Sequence, residues 1–175
     1  MADIIKVYKE HLPAMRFVGK RYTDDDRSGG GFGHKWGEWF HNGWFDVLEN
    51  QGMADNVENG YIGFMRCAPG FEYWIGAFMP PGADVPEGYG HIDLAEGDAG
   101  ICWIKGSEED GSIYSMHEKC LESLKSNGMA ISEQDEAGTP DTGPAYFFQR
   151  YNCPRFTEKD SDGNVILDYG VYLAP

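Results

Sequence analysis

The sequence is poor in the features that mark several common function classes. Its four cysteines, Cys67, Cys102, Cys120 and Cys153, lie far apart, with no C-x-x-C and no Cys/His group at zinc spacing. That argues against a zinc module or a disulfide-stapled fold, and a reduced, cytoplasmic chain is expected. No run approaches the ~20 apolar residues of a membrane helix, and no apolar signal region opens the chain. Positive charge is scarce: 14 Lys and Arg stand against 29 Asp and Glu, a formal charge of −15. Such a field repels phosphate backbones and favours cationic ligands, so direct nucleic-acid binding is not expected. There is no Gly-x-Ser-x-Gly elbow for a serine hydrolase. Gly29-Gly30-Gly31-Phe32-Gly33 lacks the Lys-Ser/Thr ending of a phosphate loop and reads as a flexible linker. Asp160-Ser161-Asp162-Gly163-Asn164 lacks the terminal Glu of a calcium loop and reads as a hairpin turn. His11, His34, His41, His91 and His117 show no catalytic or metal spacing and are expected to be exposed. No metal and no cofactor is implied.

What the chain does have is rings: ten Tyr, ten Phe and five Trp. This is more than a small core needs, and the surplus suggests a wall that meets a ligand or partner, with a ring-rich core as the alternative. The 175 residues suit one domain.

The spacing predicts a strand from Ile4 to Tyr22, interrupted at Pro13, then a polar loop from Thr23 to Gly33. Lys35 to Asn50 has helical spacing, with Trp36, Trp39, Phe40, Trp44, Val47 and Leu48 at steps of three or four; Gly37 and Gly43 weaken it. Gly60–Cys67 and Phe71–Met79, joined by Ala68-Pro69-Gly70, read as a hairpin. The second half repeats this order. Tyr89–Leu94 and Ala99–Gly106 supply strand material, Ser112–Asn127 a helix, Ser132–Gly143 a polar loop, and Ala145–Tyr151 and Val165–Leu173 two strands. The expected architecture is therefore α+β: a single domain over 1–175 made of tandem βαββ modules, about 1–82 and 83–175. A curved antiparallel sheet would carry two helices on one face, with a ligand cavity at the pseudo-twofold seam.

Five stretches resemble one family. They are Glu10–Gly19 with its Pro-Ala step, Phe71-Glu72-Tyr73-Trp74-Ile75-Gly76, Val85-Pro86-Glu87-Gly88-Tyr89, Phe148-Gln149-Arg150-Tyr151-Asn152 through Arg155-Phe156, and Leu173-Ala174-Pro175. In this order they are similar to the GyrI-like family, the AraC-type effector-binding domain. The resemblance implies tandem βαββ modules around a cavity for a small hydrophobic, frequently cationic, compound. It also implies a stand-alone member, since no helix-turn-helix accompanies the domain. Free-standing relatives resemble sequesterers of small molecules, hydrolases of strained cyclopropane-type toxins, or an inhibitor of DNA gyrase. One departure matters: the family often places a cavity carboxylate where this chain has Gln149, which can only donate and accept hydrogen bonds.

The ligand-binding candidates are Trp36, Trp39 and Phe40 on the first helix, Phe64, Glu72 and Trp74 on the hairpin, Trp103 on a later strand, and Phe147, Gln149, Tyr151 and Tyr169 on the last two strands. Glu72 beside Trp74 would suit a ligand cation, if that side of the strand is the cavity. Alternation leaves open which side that is. Three functions follow: capture of a small hydrophobic or cationic molecule, hydrolysis of a strained electrophile, or inhibition of a basic protein partner.

Overall fold

The computed structural model describes residues 1–66, 71–132 and 146–174. Cys67, the Ala68-Pro69-Gly70 turn, most of the Ser132–Gly143 loop, Ala145 and Pro175 lie outside the described residues.

Eight strands form one antiparallel sheet: β1 (Asp3–Leu12), β2 (Met15–Tyr22), β3 (Tyr61–Arg66), β4 (Glu72–Met79), β5 (Gly90–Leu94), β6 (Gly97–Gly106), β7 (Phe147–Tyr151) and β8 (Val165–Tyr172). The helices are α1 (Gly33–His41), α2 (Trp44–Gln51) and α3 (His117–Ser126), with a 3-10 turn at Ser112–Tyr114 ahead of α3. Among the described residues no helix is long and apolar enough to cross a membrane.

The strand order is β1-β6-β8-β7-β3-β4-β2-β5, which reads the same way from both ends once β1 is matched to β5, β2 to β6, β3 to β7 and β4 to β8. Each half completes itself with a strand from the other. β1 leaves the first half to pair with β6, from Asp3↔Lys105 to Leu12↔Gly97. β5 pairs back onto β2, from Met15↔Leu94 to Gly19↔Gly90. The interruption at Pro13 is therefore a crossing point: Pro13-Ala14 carries the chain from one end of the sheet to the other, and Ala95-Glu96 does the reverse. The two halves meet where β3 pairs with β7.

Both faces of the sheet are covered. On one face Val18, Tyr73, Ile75, Ala77, Cys102, Ile104, Leu167 and Tyr169 pack against Trp39, Phe45 and Leu48 of the first helices and Ile113, Cys120 and Leu124 around α3. The other face closes on itself around Leu12, Phe17, Ile62, Phe64, Trp74, Phe78, Ile101 and Phe148. This second core is a ring cluster. Phe17 stacks on Phe64 at 4.8 Å, and Phe78 meets Phe148 edge-on at 5.4 Å. Such ring pairs contribute about 0.5–1.5 kcal/mol each beyond their buried area. Much of the aromatic surplus is thus consumed by two cores, one on each side of the sheet. β4 shows the consequence most clearly, because every one of its residues is buried.

Three local expectations are corrected. The helical pattern of 35–50 is two helices, because Gly43 takes a left-handed conformation (φ 67°) that ends α1 and starts α2. The pattern of 112–127 opens with the 3-10 turn, and the α-helix begins only at His117. The glycines of 28–31 form a tight turn, with Gly29 and Gly30 both at positive φ and Ser28 bridged to Gly31, instead of a flexible linker.

Candidate functional site

The seam between the halves has a definite floor on the helix-facing side. Antiparallel pairing of β3 with β7 sets three cross-strand pairs: Tyr61 opposite Tyr151, Gly63 opposite Gln149, and Met65 opposite Phe147. Directly opposed residues of such a pair have side chains in contact distance. Tyr73 flanks the floor from β4, across from Met65, and Tyr169 flanks it from β8, across from Gln149. Gly63 lets the Tyr73 hydroxyl and the Trp36 ring settle over the middle of the floor. A Cβ there would come 3.0 Å from the Tyr73 hydroxyl and 3.7 Å from the Trp36 ring. The first half contributes Trp36 from α1 and Phe45 from α2, and the second half contributes Tyr114 and His117.

Rings line both sides of the seam and one pair crosses it. Trp36 meets Tyr151 in a T-shaped contact at 4.8 Å across the seam, while Phe45 stacks on Tyr61 at 3.7 Å within the first half and Tyr151 meets Phe156 in a T-shaped contact at 4.7 Å within the second. Yet Trp36, Tyr61, His117, Gln149, Tyr151 and Phe156 are only part-buried, and Tyr114 is exposed. Ring surface therefore stays accessible between the helices of the two halves.

A polar chain runs along the floor. The Trp36 Nε1–H donates to the Tyr73 hydroxyl at 2.8 Å. The Tyr73 and Tyr151 hydroxyls interact. The Tyr151 hydroxyl donates to Gln149 Oε1 at 3.3 Å. Beside them His117 Nδ1 lies 2.7 Å from the Tyr169 hydroxyl, with its ring stacked on Phe147 at 4.0 Å. Two carboxylates stand at the rim: Glu49 accepts from the Tyr61 hydroxyl at 2.6 Å, and Glu108 from the Tyr114 hydroxyl at 3.3 Å.

Burial sets the protonation states. It pushes Tyr73 up to about 12, against hydrogen bonding with Trp36 and Tyr151 that pulls the other way. Burial and the neighbouring Tyr73 and Tyr114 hydroxyls hold Tyr151 well above the ordinary phenol value. Burial lowers His117, only partly offset by Glu118. At neutral pH the floor is thus uncharged, made of phenols, a neutral imidazole and an amide. Phenols held in the protonated form are suited to donating hydrogen bonds and poorly suited to general-base work.

The sheet separates the sequence candidates. Trp36, Phe147, Gln149, Tyr151 and Tyr169 share the seam floor or its wall. Phe40 sits at the rim, 60% exposed, against Trp36, Phe45 and Tyr61. Trp39 is fully buried beneath them, packed against Trp44, Phe45 and Tyr89 and donating to the Tyr22 hydroxyl at 3.0 Å, so it belongs to the core. Phe64, Glu72, Trp74 and Trp103 lie on the opposite face. Phe64 and Trp74 fill the second core. Glu72 is desolvated, but its carboxylate is held ionised, below its ordinary value, by Arg21 at 2.8 Å and by Arg66. Trp103 donates to the Tyr8 hydroxyl at 3.2 Å and lies under Arg155. The strand-face alternation that left this choice open is resolved by pairing register. His117, expected to be exposed, is half-buried at the floor, and Tyr61, Gly63 and Tyr114 join the site without a signal of their own. The β3–β7 register is the information that would have found them.

No family model matches the sequence, and no curated protein matches it by sequence. Solved structures match its shape. A protein named SAV2435, solved bound to tetraphenylphosphonium, aligns with a TM-score of 0.68 at 14% identity, covering 97% of this chain and 94% of that one. A bacterial transcription-regulation protein from Staphylococcus aureus MU50 aligns at 0.64 and 14% identity, covering 98% and 99%. A hydrolase from Listeria innocua aligns at 0.51 and 11% identity, covering 97% and 92%. At these identities the likeness is one of fold: an eight-stranded curved antiparallel sheet with its helices on one face.

Proposed function

We propose that the protein is an effector-binding domain of the GyrI-like kind, which captures a small hydrophobic, aromatic molecule at the β3–β7 seam. The observation that carries this reading is the accessible ring wall over a protonated, hydrogen-bonding floor: Trp36, Tyr61 and Tyr151 around Gly63 and Gln149. Rings give large contact area at small entropic cost, and a few polar groups orient the guest. The likeness to a protein solved with tetraphenylphosphonium supports the same reading, as does the five-part sequence resemblance. Because Trp36 touches Tyr151 across the seam, a guest inserts by parting these two rings.

Titration of intrinsic tryptophan fluorescence with neutral and cationic polyaromatic compounds tests the proposal. Saturable quenching by at least one class, lost in Trp36→Ala, is the expected result. Absence of saturable quenching across both classes contradicts it.

A further inference from the structure

We propose that Gln149 makes the seam select neutral aromatic molecules bearing a hydrogen-bond acceptor, such as a carbonyl or phosphine oxide, over permanent organic cations of the same shape. The inference rests on the binding function just proposed and narrows its ligand class.

The Tyr151 hydroxyl donates to Gln149 Oε1 at 3.3 Å. With Oε1 engaged, the amide is oriented and Nε2 is the group left to donate. Among the described residues no acceptor takes a hydrogen bond from Nε2, and it is not among the buried atoms lacking a partner. It is therefore a donor left without a protein acceptor, opposite Gly63, where the Tyr73 hydroxyl and the Trp36 ring take the space of a side chain. A guest with an exposed acceptor completes the chain.

Among the described residues a cation finds no equivalent partner at that depth. The floor groups are uncharged, and His117 faces them neutral. The nearby carboxylates, Glu49 and Glu108, stand at the rim and already accept from Tyr61 and Tyr114. Exposed carboxylates in water attract weakly, whereas a cation stripped of water beside an amide is left uncompensated. Ring faces attract cations, but Trp36 and Tyr151 meet edge to face, so the contact is not an open cage of faces.

Triphenylphosphine oxide and methyltriphenylphosphonium separate the two cases. They share three phenyl rings and differ in a neutral P=O against a charged P–CH3. Calorimetric titration of the wild-type protein is expected to show the oxide binding about tenfold more tightly or better, the scale of one well-placed hydrogen bond plus an avoided buried charge. Gln149→Glu is expected to invert the preference, and Gln149→Leu to abolish it, with circular dichroism confirming that both remain folded. Equal or tighter phosphonium binding by the wild type overturns the inference while leaving the binding function standing. Binding of neither probe overturns both.

Discussion

Gly76 on β4 faces Gly19 on β2, and neither position has room for a side chain. A Cβ on Gly76 would sit 2.1 Å from the Val18 carbonyl oxygen, and one on Gly19 would sit 2.1 Å from that of Ile75. The obstacle is backbone in both directions, so it cannot swing aside. Gly76→Ala is expected to destabilise the protein by about 1–3 kcal/mol, the usual cost of overpacking a filled interior. Urea denaturation measures it, and an unchanged midpoint would contradict the geometry. His117 makes a second prediction at this scale. Burial lowers its folded pKa, so between the ordinary histidine value of about 6.5 and the lower folded value the unfolded chain binds more protons. Stability therefore falls as pH drops through that window. His11, whose folded pKa is raised by Glu96 and Asp98, acts oppositely, so the wild-type profile mixes the two. His117→Phe keeps a ring on Phe147 and removes the titration. The stability of the wild type relative to His117→Phe is expected to fall as pH drops from 7 to 5, and a pH-independent difference would contradict the assignment.

At the scale of elements, the strand exchange is the feature that ties the halves together. β1 brings Leu12 into the second core, Tyr8 to Trp103, and Glu10 to Arg150. Arg150 is fully buried. It meets Asp168 at 2.8 Å and Glu10 at 3.1 Å, while Arg155 holds the other oxygen of Asp168 at 2.7 Å. This network pins β7 to β8 and β1 on one face, while Gln149 and Tyr151, on either side of Arg150, point to the other. Removing one member of a buried ion network strands its partners, so Arg150→Met is expected to cost about 3 kcal/mol or more in urea denaturation. Deleting residues 1–13 is expected to abolish cooperative unfolding, because the second half loses its edge strand; a cooperative transition at the wild-type midpoint would refute the exchange.

Element order was legible in the sequence because the helical and strand periods differ. The exchange was not, since a proline between two apolar runs looks alike whether the chain continues, bends or crosses to another strand. The break at Gly43 was half-legible: the glycine was visible as a weak point, and only its left-handed backbone shows that the helix ends there.

For the molecule as a whole, the aromatic count misled in part. Rings such as Phe17, Phe64, Phe78 and Phe148 fill the second core, a layer that composition gives no reason to expect. Since both faces of the sheet are apolar, alternation along β3, β4 and β7 carries no contrast between inside and outside. That is why Phe64, Glu72, Trp74 and Trp103 stood beside Trp36, Gln149 and Tyr151 as equal candidates. The sheet itself therefore supplies the sharpest control for the central claim. Equilibrium binding of one polyaromatic probe should be compared in Trp36→Ala and Trp103→Ala, two indole deletions on opposite faces. If the β3–β7 seam is the binding site, Trp36→Ala weakens binding about tenfold or more, the effect of losing an aromatic anchor, and Trp103→Ala leaves it nearly unchanged. Loss of binding in Trp103→Ala with full retention in Trp36→Ala would place the ligand on the other face and contradict the account.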